Sequence, residues 1–140
     1  VDETKDLHQG MLWAVHEGAF LFELPGGARD YTRDGIVQHG PWPPEDCARC
    51  LLTWFDHGWI EVYVLSEHLN RWAAEEADLI GESSDENART VERRRARAIF
   101  MAPSTWKNDR PEGLVCLAPT DQAPPLDFRQ VWLDAVAAAE

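Results

Sequence analysis

Leu51-Leu52-Thr53-Trp54-Phe55-Asp56-His57-Gly58-Trp59-Ile60-Glu61-Val62-Tyr63 is the stretch that decides the fold, because within thirteen residues the apolar period changes from helical to extended. Upstream of it Pro44 suits a first helical turn, where its missing N–H costs nothing, and Glu45 and Asp46 complement the positive end of the helix dipole. Cys47, Cys50, Leu51, Trp54 and Phe55 then fall on one face, and Gly58 is placed to stop the helix. From Trp59 to Val64 the residues are aromatic or β-branched, with Ile60, Val62 and Val64 on one side and Glu61 on the other, which predicts a strand leaving the helix directly.

Working outward, Leu7, Met11, Ala14 and Val15 are spaced for a helix over 4–17 that stops at Gly18. The short aromatic run 19–24 reads as a strand closed by Pro25-Gly26-Gly27. From Pro25 to Pro44, Asp34-Gly35 and Gly40-Pro41 are turn signals, and the segment reads as loop apart from room for a short helix over 28–33. Leu69, Trp72, Ala73, Ala77 and Ile80 suggest a helix over 67–80, or a partly helical loop in view of its four carboxylates. Ser83 with Glu86 forms a capping-box pattern, and the helical phase runs through Ala88, Val91, Ala98 and Ile99 to Pro103. The run 113–118 is apolar enough for a buried strand. A second capping box, Asp127 with Gln130, opens a terminal helix with Phe128, Val131, Trp132, Ala135 and Val136 in core phase. The expected fold class is α+β, mostly helical, with a small antiparallel sheet and one domain over 1–140.

The pattern around 51–63 resembles a winged helix-turn-helix domain, in which a helix closes on a glycine and runs into the first strand of the wing. Val115-Cys116-Leu117-Ala118-Pro119-Thr120-Asp121 is similar to the returning wing strand and its turn. The resemblance implies a winged-helix-like fold with a long helical insertion between the wing strands, and a DNA-binding regulator as the function that goes with it.

Charge points elsewhere. The 140 residues hold 13 Lys and Arg against 25 Asp and Glu, a formal −12. A chain of this sign has no general attraction to phosphate backbones or anionic lipid and favours basic partners. The helix that would enter DNA, 44–57, exposes Glu45, Asp46, Asp56, Arg49, Thr53 and His57, so acids outnumber the certain cation. The exception is an arginine-rich run, Arg89, Arg93, Arg94, Arg95 and Arg97, interrupted only by Glu92 among acids. It reads as a solvated helix face, with nucleic-acid or acidic-partner contact through Arg89, Arg93, Arg94 and Arg97 as the sharper alternative.

No catalytic pattern emerges. The five histidines form no HExxH pair, Gly26-Gly27 lacks the sequel of a phosphate-binding loop, and Cys47-x-x-Cys50 has no second close pair of ligands and no preceding strand. Both cysteines read as small buried hydrophobes, so neither metal nor cofactor is expected. The odd set Cys47, Cys50 and Cys116, the absence of a membrane-length apolar run and a polar start unlike a signal peptide make a reducing cytoplasm the expected compartment. Seven tryptophans exceed ordinary usage; five are expected in the core and the rest as interface anchors. The expected function is therefore a non-catalytic acidic protein of the inhibitor, immunity or regulatory adaptor type. It would bind a basic protein through Glu45, Asp46, Asp56, Trp42, Glu75 and Glu76, with the winged-helix DNA-binding regulator as the alternative.

Overall fold

The computed structural model describes residues 3–65, 88–106 and 114–139. Pro44 occupies the first turn of helix α2, Pro44–Asp56, with Glu45 and Asp46 beside it, and the face formed by Cys47, Ala48, Cys50, Leu51, Trp54 and Phe55 is buried. Gly58, at φ +78°, turns the chain out of the helix. Strand β3, Ile60–Leu65, follows with Ile60, Val62 and Val64 fully buried. This junction matches the periodicity because both signals are local.

Helix α1, Glu3–Glu17, buries Leu7, Met11, Leu12, Ala14 and Val15 and ends at Gly18, at φ +68°. The run 19–24 is not a strand. Leu21–Gly26 forms a 3-10 turn whose Leu21 and Leu24, three apart, are both buried, and only a single bridge between Phe20 and Cys116 is β-like. Three residues per turn stacks such a pair on one side.

The segment expected as loop or short helix is instead a β-hairpin: β1, Ala28–Thr32, pairs antiparallel with β2, Gly35–His39, across Arg33-Asp34. Asp34-Gly35 does mark the reversal, with Gly35 at φ +134°. The strands escaped periodicity because both faces lie in solvent, so no apolar alternation was imposed on them.

The second sheet has the order β4-β3-β5 and is antiparallel throughout. Its outer members are β4, Ala88–Thr90, and β5, Val115–Pro119. The stretch read as one helix from Ser83 to Pro103 therefore divides. Ala88–Thr90 pairs with Leu65–Tyr63, the Val91 N–H donates to the Val62 carbonyl, and helix α3, Arg93–Met101, begins only afterwards. Its cap is Glu92, whose carboxylate accepts from the Arg94 and Arg95 N–H groups at 3.1 and 3.2 Å. An open edge on β3 outweighed the helical phase. Ser83 and Glu86, and the helix expected over 67–80, lie outside the described residues.

Helix α4, Arg129–Ala139, buries Trp132 and Val136. It starts two residues after Asp127, and Gln130 bonds forward to Asp134 at 2.7 Å instead of closing a capping box. Phe128 and Val131, expected in the core, are exposed.

The core fills the space between the inner face of β3 and β5 and the helices, with α2 in contact with α1, α3 and α4. Trp54, Trp59 and Trp132 form its aromatic centre. The Trp54 and Trp132 rings meet edge-on at 5.2 Å, Trp59 lies 5.3 Å from Trp132, and the Trp54 indole N–H donates to the Trp132 carbonyl at 2.9 Å. Of the six described tryptophans, Trp42, Trp54 and Trp132 are buried, Trp59 and Trp106 pack partly exposed against the core, and Trp13 faces solvent. Among the described residues no helix is long and apolar enough to cross a membrane. The architecture is thus α+β with two small antiparallel sheets.

Candidate protein-binding surface

The outward face of α2 carries Glu45, Asp46, Arg49, Thr53 and Asp56, because its other face is held against α1, α3 and α4. Glu45 is exposed. Asp46 lies 3.3 Å from Arg49, one helical turn on, and the Thr53 hydroxyl donates back to the Arg49 carbonyl at 3.0 Å. At the far end of the helix, Asp56 is ion-paired with Arg97 of α3.

That pairing brings together two residues assigned to different candidate surfaces. Arg93 is also turned toward α2: its guanidinium donates to the Phe55 carbonyl at 2.9 Å and lies 4.2 Å from the centre of the Phe55 ring. A cation at the negative end of α2 complements the helix dipole, and the Phe55 carbonyl accepts from Arg93 as well as from the Gly58 N–H. The arginine-rich helix is therefore in large part a cap for its neighbour. Arg94 is exposed, and Arg89 sits opposite Val64 in the β3–β4 register. Replacing Arg93 with alanine removes a charge-assisted hydrogen bond and a cation–π contact, with an expected loss of about 1–2 kcal/mol, whereas Arg94→Ala changes stability by less than about 0.5 kcal/mol. Chemical denaturation of the two variants side by side checks this.

The remaining expected contacts are placed differently. Trp42 is buried, its indole against the backbone of α1 at Gly10, so it is not a surface anchor. Glu75 and Glu76 lie outside the described residues. Cys47 and Cys50 are core residues, and Cys116 is buried on β5. Burial first, and then the charge of Asp46, pushes the Cys47 thiol from 9.0 up to about 12. Because the folded value is the higher one, the protonated thiol's contribution to stability is complete below pH 9.0 and is lost as pH rises from there toward 12. At pH 8 the native thiols are expected to stay unmodified by a bulky thiol reagent and to react at once in strong denaturant; rapid labelling of native protein would contradict the buried placement. Among the described residues no three His, Cys, Asp or Glu side chains gather where a metal ion could be held.

The structure also shows surfaces that the sequence reading missed. Trp13, at 58% exposure, stands beside a groove of about 300 Å³ between α1 and α4, lined by Leu12, His16, Leu126 and Arg129 among others. Phe128, just before α4, and Val131 on its first turn continue the apolar character. On the hairpin, Tyr31, Ile36 and Val37 are exposed. For the hairpin the signal was present, since Asp34-Gly35 is flanked by Tyr31-Thr32 and Ile36-Val37, all good strand formers.

Comparison with family models, with curated proteins and with solved structures gives no match, so function is argued from this geometry alone.

Proposed function

We propose that this protein acts by binding another protein, a basic one, as inhibitors, immunity proteins and regulatory adaptors do. The observation that carries this is the pairing of the arginine helix with the end of α2. Arg93 and Arg97 remain exposed but are engaged at the end of α2, Arg93 with the Phe55 carbonyl and Arg97 with the Asp56 carboxylate, so part of the most concentrated positive charge in a chain of net −12 is already matched within the protein. The acidic remainder steers a cationic partner, and Glu45 at the start of α2 stands where carboxylates can meet a site built for phosphate. The exposed Trp13, Phe128 and Val131 provide the kind of apolar anchors that hold such a complex once formed. The three buried, unlinked thiols suit a reducing cytoplasm.

Co-purification from the native host at low and high salt tests this. A stable basic partner at low salt, weakened by salt and by the double substitution E45K/D46K, is the expected result. Absence of any stable protein partner at either salt would overturn it.

A winged-helix DNA-binding regulator is the second reading. It is favoured by the run of α2 through Gly58 into β3 and by the antiparallel pairing of β3 with β5. It is opposed by the acids along α2 and by the 3-10 turn and hairpin that lie in the connection between α1 and α2. A mobility-shift assay on random genomic fragments at ~50 mM salt, where phosphate contacts are strongest, disposes of it if no shift appears.

A further inference from the structure

We propose that the outer edge of β2 is a self-association surface, on which a second copy of this chain adds its own β2 antiparallel to give a ribbon of strand order β1-β2-β2-β1. Every residue from 29 to 38 is exposed, and among the described residues no third strand joins the hairpin. A two-stranded ribbon alone is marginally stable. In an antiparallel pair alternate residues turn their N–H and C=O groups away from the partner strand, so β2 offers a row of backbone donors and acceptors along its free side. Protein edges of this kind are ordinarily blunted by lysine, proline or another charge. Gly35-Ile36-Val37-Gln38-His39 contains no lysine, no proline and no carboxylate.

The faces are also self-complementary. Tyr31 lies opposite Ile36 across the hairpin, at 74% and 61% exposure. A two-fold axis perpendicular to the ribbon and passing beside Ile36 sets Ile36 opposite its counterpart in the second copy. It produces one continuous apolar row of Tyr31, Ile36, Ile36 and Tyr31 across four strands on the same face.

Local charge selects the occupant. Arg29 and Arg33 cancel Asp30 and Asp34, so the hairpin sums to zero in a chain of −12. The strand itself carries no carboxylate, and the one that reaches it, Asp6 at 2.7 Å from His39 Nδ1, is already engaged by that ring, whereas two copies of this acidic chain meet there with less repulsion than at an acidic face. In this register Gly35, Ile36 and Val37 of the two β2 strands overlap, an edge far short of the roughly 1,200 Å² of a stable interface, so the dimer is weak and concentration-dependent, and salt strengthens it by screening the remaining repulsion.

Sedimentation of the full chain from ~10 µM to ~1 mM, at ~50 and ~500 mM NaCl, tests the proposal. The weight-average mass should rise toward two chains with concentration, more steeply at high salt. Ile36→Lys, which puts a charge on the edge at an exposed position, should hold the protein monomeric with an unchanged circular-dichroism spectrum. Phe128→Asp, on the α1–α4 face, should leave the dimer intact. A protein monomeric throughout at both salts, or a dimer that survives Ile36→Lys, or one lost with Phe128→Asp, would overturn it.

Discussion

Trp132→Ala is expected to lower stability by about 3–5 kcal/mol, the largest effect of any single truncation considered for this chain. The indole is fully buried, meets Trp54 and Trp59 edge-on, and is the side chain through which α4 docks on α2 and the α2–β3 junction. Removing it leaves a cavity that three rigid elements cannot close, and the transfer cost of the lost ring adds to the cavity cost. Against the roughly 5–15 kcal/mol of total stability of an ordinary domain, the variant sits near its unfolding threshold. The Trp54 indole still finds the residue 132 carbonyl, and the hydrogen bond lost with the ring, from the Trp132 indole N–H to the Pro125 carbonyl, is a long one at 3.4 Å, so the loss reports mainly packing. Urea denaturation followed by circular dichroism measures it, with Trp13→Ala as the matched control. Trp13 is exposed, and its truncation is expected to stay within about 0.5 kcal/mol. Equal losses in the two variants would mean that α4 does not dock as described.

Gly27→Ala should cost about 3 kcal/mol, whereas Gly26→Ala, one residue earlier, should be close to neutral. Gly27 holds φ +84° and ψ −163°, a backbone region that residues with a Cβ essentially do not enter. A methyl group there would also collide with the His39 carbonyl, backbone that cannot swing aside as a flexible side-chain tip can. Strain of about 1–3 kcal/mol and overpacking of similar size act together. At Gly26 nothing lies within 4 Å of an added Cβ, and the backbone is not in the left-handed region. The expected signature is local as well as global: the amides of β1 and β2 lose hydrogen-exchange protection first, because Gly27 is where the hairpin is joined to the 3-10 turn. If both variants behave alike, the close approach of Gly27 to His39 is wrong.

Much of this fold was readable from local pattern. The α2–Gly58–β3 junction, the stop of α1 at Gly18 and the alternation of Ile60, Val62 and Val64 each depend on residues within a few positions of one another. Elements failed to show where their partner is remote. The three residues of β4 had helical phase and became a strand because β3 had an edge to fill, and the capping carboxylate of Glu92 then restarted the helix. The hairpin gave no alternation because neither face is buried. Phe128, just before α4, and Val131 within it keep core spacing but are exposed, on a side that no described element covers.

The candidate surface divides in the same way. Sequence supplied the charges: the −12 total, the acids of α2 and the run of arginines. It could not supply their directions. Arg93 reaches a carbonyl 38 positions earlier and Arg97 a carboxylate 41 positions earlier, contacts that exist only once α3 packs across the end of α2. Trp42 looked like an anchor and is buried because Gly10, far off in the chain, leaves a flat stretch of helix for its ring.

The sequence by itself determined the helix-to-strand junction, the apolar faces of α1 and α2 and the sign of the protein's field, since composition and short-range spacing fix all three. Tertiary structure alone decided which charges face solvent, which aromatic rings are core and which strand edge stays open. Those depend on contacts between residues tens of positions apart, whose energy no local period encodes.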